Sequence, residues 1–229
     1  KGSDVTVTLD ALTGEISSVK NGTSTIPLTN GPRPIGMKAK LKEVQVSQEG
    51  DKAICKVLYA GGLSSIKWIM EPDGRFKMEL IALKNSQNNG GFDGAAFEDK
   101  INSWGITFSF PEKGVTGMKW FGKGPYHVWK NRLKGTTYGI WEKDYNTTIT
   151  GESFENLVYP EFKGYHANLL GANLKAGASS FKVFSESDNL FLRLFTPDLP
   201  KNGFAGSYPQ PTFPEGDISF RSEEHTSEL

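Results

Sequence analysis

Two short stretches concentrate the side chains able to do chemistry. The first, KWFGKGPYHVWKNR, runs from Lys119 to Arg132 and packs four aromatics, two close glycines, a proline, a histidine and several basic residues into one segment. Two readings fit it. In one, Gly122 and Gly124 permit unusual φ, Pro125 fixes a turn, and Trp120 and Trp129 fill core. In the other, Tyr126, His127, Trp129, Asn131 and Arg132 line a polar-rimmed surface for a sugar. Aromatic faces would cover the apolar C–H side of a pyranose, while amide and guanidinium groups bond its hydroxyls. The second stretch, YPEFKGYHANL from Tyr159 to Leu169, brings Tyr159, Glu161, Tyr165, His166 and Asn168 together around a glycine. Glu161 and His166 are either general acid–base partners or a solvated surface pair. A third segment, Pro200–Asp217, is rich in proline, glycine and aromatics, with Phe204, Tyr208 and Phe213 as its large side chains. Long irregular loops of this kind usually carry function or lack order.

Other chemistries lack their residues. GKGP is not a phosphate-binding loop, because no G-x-x-x-x-G-K-[ST] is present and the context is strand to strand. A dinucleotide fingerprint fails for the same reason. Lysine plus arginine number 26 and aspartate plus glutamate 26. Nucleic-acid binding draws on a basic excess, so that partner is not expected. With two histidines in credible positions, His127 and His166, no metal site is expected, nor any cofactor. No serine nucleophile elbow or cysteine–histidine arrangement occurs. Cys55 lies in an alternating stretch, AICKVLY, and reads as a buried, inert thiol. No apolar run approaches the roughly 18 residues of a membrane span, so no membrane partner is expected.

The elements that must position these residues are strands. Period-2 alternation dominates, and no window sustains a 3.6-residue apolar period. DVTVTLD sets Val5, Val7 and Leu9 on one face and threonines on the other. LTGE and KNGTS supply turns. A meander follows: KAKLKEVQVS, the turn QEGD, KAICKVLYA, then IKWIM after GGLSS, the turn EPDG, and RFKMELIAL. In the last of these Phe76, Met78, Leu80 and Ala82 oppose Lys77 and Glu79, which predicts one packed and one partly wet face. Ile81 and Leu83 interrupt the wet face, so a covering layer is expected there. The Gly/Asn-rich NSQNNGGFDGAAFED reads as a long loop. The second half continues with SWGITFSF, GVTGMKWF, TTYGIWE, ENLVYPEF, HANLLGANL, SSFKVFSE, NLFLRLF and DISF. The expectation is an all-β protein, a large antiparallel β-sandwich, as one domain over residues 1–220.

The final RSEEHTSEL, Arg221–Leu229, breaks off the strand-like DISF and resembles, residue for residue, the translation of a common sequencing-adapter oligonucleotide. It is read as appended to a domain truncated near its C-terminal end. The chain begins at Lys1 without a visible signal peptide. Sequons at Asn21 and Asn146 are weak signals of glycosylation. The compartment is not legible, with a bacterial periplasmic or secreted setting favoured over a cytoplasmic one.

KWFGKGPYHVWKNRLKGTTYGIW resembles the hallmark of the C-terminal domain of family-two glycoside hydrolases, the β-galactosidase group. That pattern reads roughly W-x-G-x-G-P-x-x-x-Y-x-x-R, followed by G-x-[WY]. Trp120, Gly122, Gly124, Pro125, Arg132, Gly139 and Trp141 match it. YPEFKGYHANL is similar to the aromatic-proline segment that follows in the family, and VTLDALTGEISSVKNGT to the start of the same domain. The family's tyrosine-aspartate before the arginine is replaced by Trp129-Lys130-Asn131, which implies a branch distinct from the best-known lactose-cleaving members. Some members place a late-loop tryptophan in the active site; this chain has no tryptophan between Pro200 and Phe220, and Tyr208 or Phe213 would stand in its place. The resemblance implies a galactose-mutarotase-like supersandwich at the end of an exo-acting retaining hydrolase. The two catalytic glutamates, about 5 Å apart in such enzymes, would lie in a preceding (β/α)8 barrel. The implied partners are those preceding domains and a carbohydrate, a β-galactoside or related glycan. No residue here is implied to be catalytic, and the chain alone is predicted to be inactive. The alternatives are a stand-alone carbohydrate-binding module and an aldose 1-epimerase, the latter disfavoured by the two histidines.

Overall fold

The computed structural model describes residues 4–82, 104–125, 135–145, 163–187, 190–195 and 217–222. Tyr126, His127, Trp129, Asn131, Arg132, Tyr159, Glu161, Tyr208 and Phe213 lie outside them, as do the Gly/Asn-rich loop and ENLVYPEF. The described residues form an all-β protein of antiparallel sheets with no helix, consistent with the expected β-sandwich. The chain separates into two compact units, Lys1–Ile106 and Thr107–Glu223.

In the first unit, β1 (Val5–Leu9), β2 (Ile16–Asn21) and β3 (Ser24–Ile26) form one antiparallel sheet, followed by β4 (Thr29–Ile35). Val5, Val7 and Leu9 are half-buried and the threonines between them exposed, as the alternation requires. The expected meander is β5 (Ala39–Glu49), β6 (Lys52–Gly61), β7 (Leu63–Met70) and β8 (Phe76–Ala82), in sheet order β5-β6-β7-β8. The strand expected from Ile66 begins three residues earlier, at Leu63, just after the turn at Gly61 and Gly62. Register pairs Cys55 with Trp68 and Trp68 with Met78, so these share one face. That face packs on the β1–β2 turn. The Trp68 Nε1–H donates to the Gly14 carbonyl at 3.3 Å, and a Cβ on Gly14 would fall 2.2 Å from Val57 Cγ2. Trp68 also stacks on Phe76 with centroids 4.5 Å apart. Cys55 is buried and free, and burial pushes its thiol pKa up. One expectation fails at Ile81, which is 56% exposed, so among the described residues no layer covers it, and Leu83 lies outside them. A single apolar residue on a wet face does not require a cover.

The second unit stacks two sheets. One has the order β11 (Thr137–Asp144), β10 (Val115–Gly124), β13 (Gly171–Ala176), β14 (Ser179–Phe184). The other runs β12 (Gly164–His166), β15 (Leu190–Leu194), β16 (Ile218–Ser222), β9 (Trp104–Ser109). Met118, Leu174 and Phe181 of the first meet Leu192, Leu194 and Ile218 of the second around a wholly apolar void of about 10 Å³. That space is at most the size of one water, so it is packing and not a ligand site. β16 continues through Arg221 and Ser222, which pair with Phe191 and Leu190.

The second sheet is buried on both faces. Phe191, Leu192, Arg193 and Leu194 are each 2% exposed or less. Between β9 and β16 the buried Ser219 hydroxyl donates to Thr107 Oγ1, whose own hydroxyl donates to the Ile218 carbonyl, both at 3.0 Å. Burial without loss of hydrogen bonding is what makes these hydroxyls tolerable in a core.

HANLLGANL, expected as one strand, is two. β12 ends at His166 in one sheet, and β13 starts at Gly171 in the other. The change of sheet is made by Asn168, whose φ of 50° suits asparagine's tolerance of the left-handed region. The crossing strap is bonded to both sides: Leu169 N–H to the Leu190 carbonyl at 2.8 Å, and Leu170 N–H to the Phe121 carbonyl at 2.8 Å.

Candidate functional site

The best-defined polar and aromatic constellation lies where β10 and β11 end beside this strap. Register sets Trp120 opposite Trp141, Gly122 opposite Gly139 and Gly124 opposite Thr137. Alternation puts Trp120, Gly122 and Gly124 on the inner face of the sheet, with Trp141 and Gly139 beside them. Trp120 is 1% exposed, donates its indole N–H to the Lys123 carbonyl at 3.1 Å, and meets His166 edge-on at 5.0 Å. The half-buried Trp141 indole lies over the glycines and donates its N–H to the Gly122 carbonyl at 3.2 Å.

The glycines serve this close approach. A Cβ on Gly124 would lie 2.5 Å from two ring atoms of Trp141, and one on Gly139 would lie 2.9 Å away. A Cβ on Gly122 would lie 3.0 Å from the Asn168 carbonyl oxygen. Neither Gly122 nor Gly124 has a positive φ, so the expectation that they serve unusual backbone angles is corrected. Any side chain there would displace the indole or the strap. A cis bond joins Gly124 to Pro125.

Of the sequence-derived site residues, the described ones are Tyr165 and His166, and neither faces solvent. His166 is fully buried against Trp120, and Glu161, the other member of the expected pair, lies outside the described residues. Tyr165, 7% exposed, points to the other face of its sheet. There its ring lies 5.3 Å from the Arg193 guanidinium carbon, and its hydroxyl accepts from Arg221 Nη1 at 2.7 Å. Burial lowers the Arg193 pKa, Arg221 adds to the fall, and Tyr165 opposes it. Arg221 belongs to the segment read as appended.

Sequence reasoning missed two features. Lys163 is 2% exposed and ion-paired with Glu112 at 2.5 Å, and the Tyr145 hydroxyl donates to the same carboxylate. The pair holds the end of β11 and the approach to β12 on one acidic group. Nothing in the sequence distinguishes Lys163 from a surface lysine. The Tyr145 pKa is pushed from 10.0 to about 12, first by burial and then by the Glu112 hydrogen bond. The folded state therefore holds a proton that the unfolded state releases near pH 10. Tyr145's contribution is present in full below that pH and is lost as pH climbs toward 12. Tyr59, also raised to about 12, titrates in the same window. The expected result is that Tyr145→Phe flattens part of the alkaline fall in unfolding midpoint and leaves a residue due to Tyr59. An unchanged profile would contradict the assignment.

The second missed feature is a row of exposed apolar side chains on the outer face of the β11-β10-β13-β14 sheet. Phe121 is 45% exposed, Tyr138 51%, Ile140 67% and Phe184 78%. The clue lay in alternation, since Phe121 must face opposite to a core Trp120 and Phe184 opposite to Val183. Among the described residues no group of three or more His, Cys, Asp or Glu side chains is placed to hold a metal. Comparison of the chain with known protein families and with curated proteins found no match in either.

Proposed function

We propose that this chain is a non-catalytic β-sandwich domain of an exo-acting retaining glycoside hydrolase of the β-galactosidase type. In this reading it packs on a catalytic barrel and contributes to the rim of the sugar pocket. The observation that supports it is the convergence of the hallmark residues. Trp120, Gly122, Gly124, Gly139 and Trp141 are one physical unit, an indole laid on a glycine floor beside a buried tryptophan. A motif spread over more than twenty residues thus corresponds to a single packing arrangement. The sugar surface would be carried by Tyr126, His127, Trp129, Asn131 and Arg132, which follow directly in the chain. Specificity for a β-galactoside rests on the resemblance alone.

The reading is tested by the reading frame upstream of Lys1 and by an assay. A frame encoding a (β/α)8 barrel with two strand-end glutamates is expected, and a start codon with a signal peptide at that point would overturn the proposal. The purified chain is expected not to hydrolyse aryl β-galactosides. Turnover that Glu161→Gln abolishes would place the chemistry within this domain instead. A free-standing carbohydrate-binding module is the second reading, favoured by the exposed aromatic row.

A further inference from the structure

The outer face of the β11-β10-β13-β14 sheet carries a feature that sandwich packing does not use. Register places Ile140 beside Phe121, Phe121 beside Gly171, and Gly171 beside Phe184. Paired residues of antiparallel strands project to the same side, so these four make one line across all four strands. Gly171 is the gap in that line, and Phe184 fills it: a Cβ there would come within 2.9 Å of the Phe184 ring. The two phenylalanines stand two strands apart, ~10 Å along the line, and the Phe184 ring lies against Gly171 between them. Tyr138 extends the strip in the next row, with Lys123 Nζ 4.6 Å from its ring centroid.

Charge brackets the strip on both sides. Lys123 lies in the row with Tyr138, and Lys119 and Lys182 lie with Glu142 and Asn173 in the row opposite. Lys175, one row further, bonds Glu142, and Lys119 Nζ lies 4.0 Å from it. Lys175 and then Lys119 hold the Glu142 carboxyl below its ordinary pKa. With Asp144 included, the face carries four lysines against two acids.

We propose that this face is a docking platform for a single extended chain of an anionic polysaccharide, one bearing carboxylate or sulfate groups along both edges. This rests on the carbohydrate-recognition reading and names the ligand class for a different surface of the domain. The apolar line supplies stacking against sugar C–H faces. The lysines supply point charges to anionic groups on either side. Width decides against a globular protein partner. The apolar band is one residue row deep except at Tyr138, with lysines two residues along the strands on either side, or ~7 Å. A stable protein interface needs about 800 Å² per partner with a core depleted in charge.

The test is affinity electrophoresis of the full chain through gels containing polygalacturonate, its fully methyl-esterified form, or polyglutamate. The expected result is retardation by polygalacturonate that salt abolishes, with at least about tenfold weaker binding to the ester. Phe121→Ala and Phe184→Ala are each expected to weaken binding about tenfold without changing the circular dichroism spectrum. Lys119→Gln with Lys182→Gln should weaken binding and reduce its salt dependence. Absence of retardation, equal binding of the ester, unchanged binding by both phenylalanine variants, or equal retardation by polyglutamate would each overturn the proposal. Polygalacturonate is not a β-galactoside, so none of these outcomes bears on the upstream-barrel test.

Discussion

Trp120→Ala is expected to lower the unfolding free energy by about 3–5 kcal/mol, the range for removing a large aromatic from a packed core. Total stabilities of single domains are ~5–15 kcal/mol, so this one change consumes a large share. Trp120 is 1% exposed, and it is fixed at both ends: its N–H by the Lys123 carbonyl, its ring by the edge of His166. Truncation leaves a void between buried groups, and it leaves a carbonyl without its donor. The next residue is the control. Phe121, 45% exposed on the opposite face, is expected to cost about 1 kcal/mol or less when replaced by alanine. Urea unfolding followed by far-ultraviolet circular dichroism avoids the fluorescence change that removing a tryptophan brings. Equal midpoints for the two alanine variants would contradict the assignment of Trp120 to the core and Phe121 to the surface.

That contrast shows what a sequence of strands makes legible. Alternation places Trp120 and Phe121 on opposite faces with certainty, yet it does not say which face meets the other sheet. The same ambiguity governs NLFLRLF, where Phe191, Leu192, Arg193 and Leu194 are all buried. A sheet covered on both sides loses its polar face, and Arg193 then looks like a solvent-side residue until tertiary structure encloses it. Strand existence was legible because Val5, Val7 and Leu9, or Phe76, Met78 and Leu80, repeat at period 2 over whole elements. The split of HANLLGANL was not, because it depends on one asparagine at positive φ and on hydrogen bonds to Phe121 and Leu190, neither adjacent in sequence. The site behaved likewise. The importance of Gly122 and Gly124 was readable from their spacing, but their reason was not. Long-range contacts require them, of Gly124 with the Trp141 indole and of Gly122 with the strap at Asn168, and no local turn rule reports such contacts. The Glu112–Lys163 pair joins residues far apart in the chain and leaves no local pattern at all.

If the Trp141 indole rests on Gly139, Gly139→Ala should be destabilising by about 1–3 kcal/mol, the usual cost of forcing an extra methyl into a filled space. The added Cβ would meet Trp141 Cζ2 at 2.9 Å and Cε2 at 3.0 Å. Backbone entropy pulls the other way, since glycine to alanine in an unstrained position stabilises by ~0.4–1 kcal/mol through the unfolded chain. The two effects are separable in a double-mutant cycle. With Trp141→Ala in place, the obstruction is gone, and Gly139→Ala is expected to turn neutral or stabilising. The coupling energy between the two sites should then reach about 1–3 kcal/mol, as for residues sharing one packing space. Gly124→Ala offers a parallel cycle with a closer contact, 2.5 Å to the same indole, but its neighbour Pro125 restricts the residue before it. Gly139 is therefore the cleaner probe. Additive effects of Gly139→Ala and Trp141→Ala would show that the indole does not rest on Gly139. The glycine at position 139 would then need a cause other than this ring.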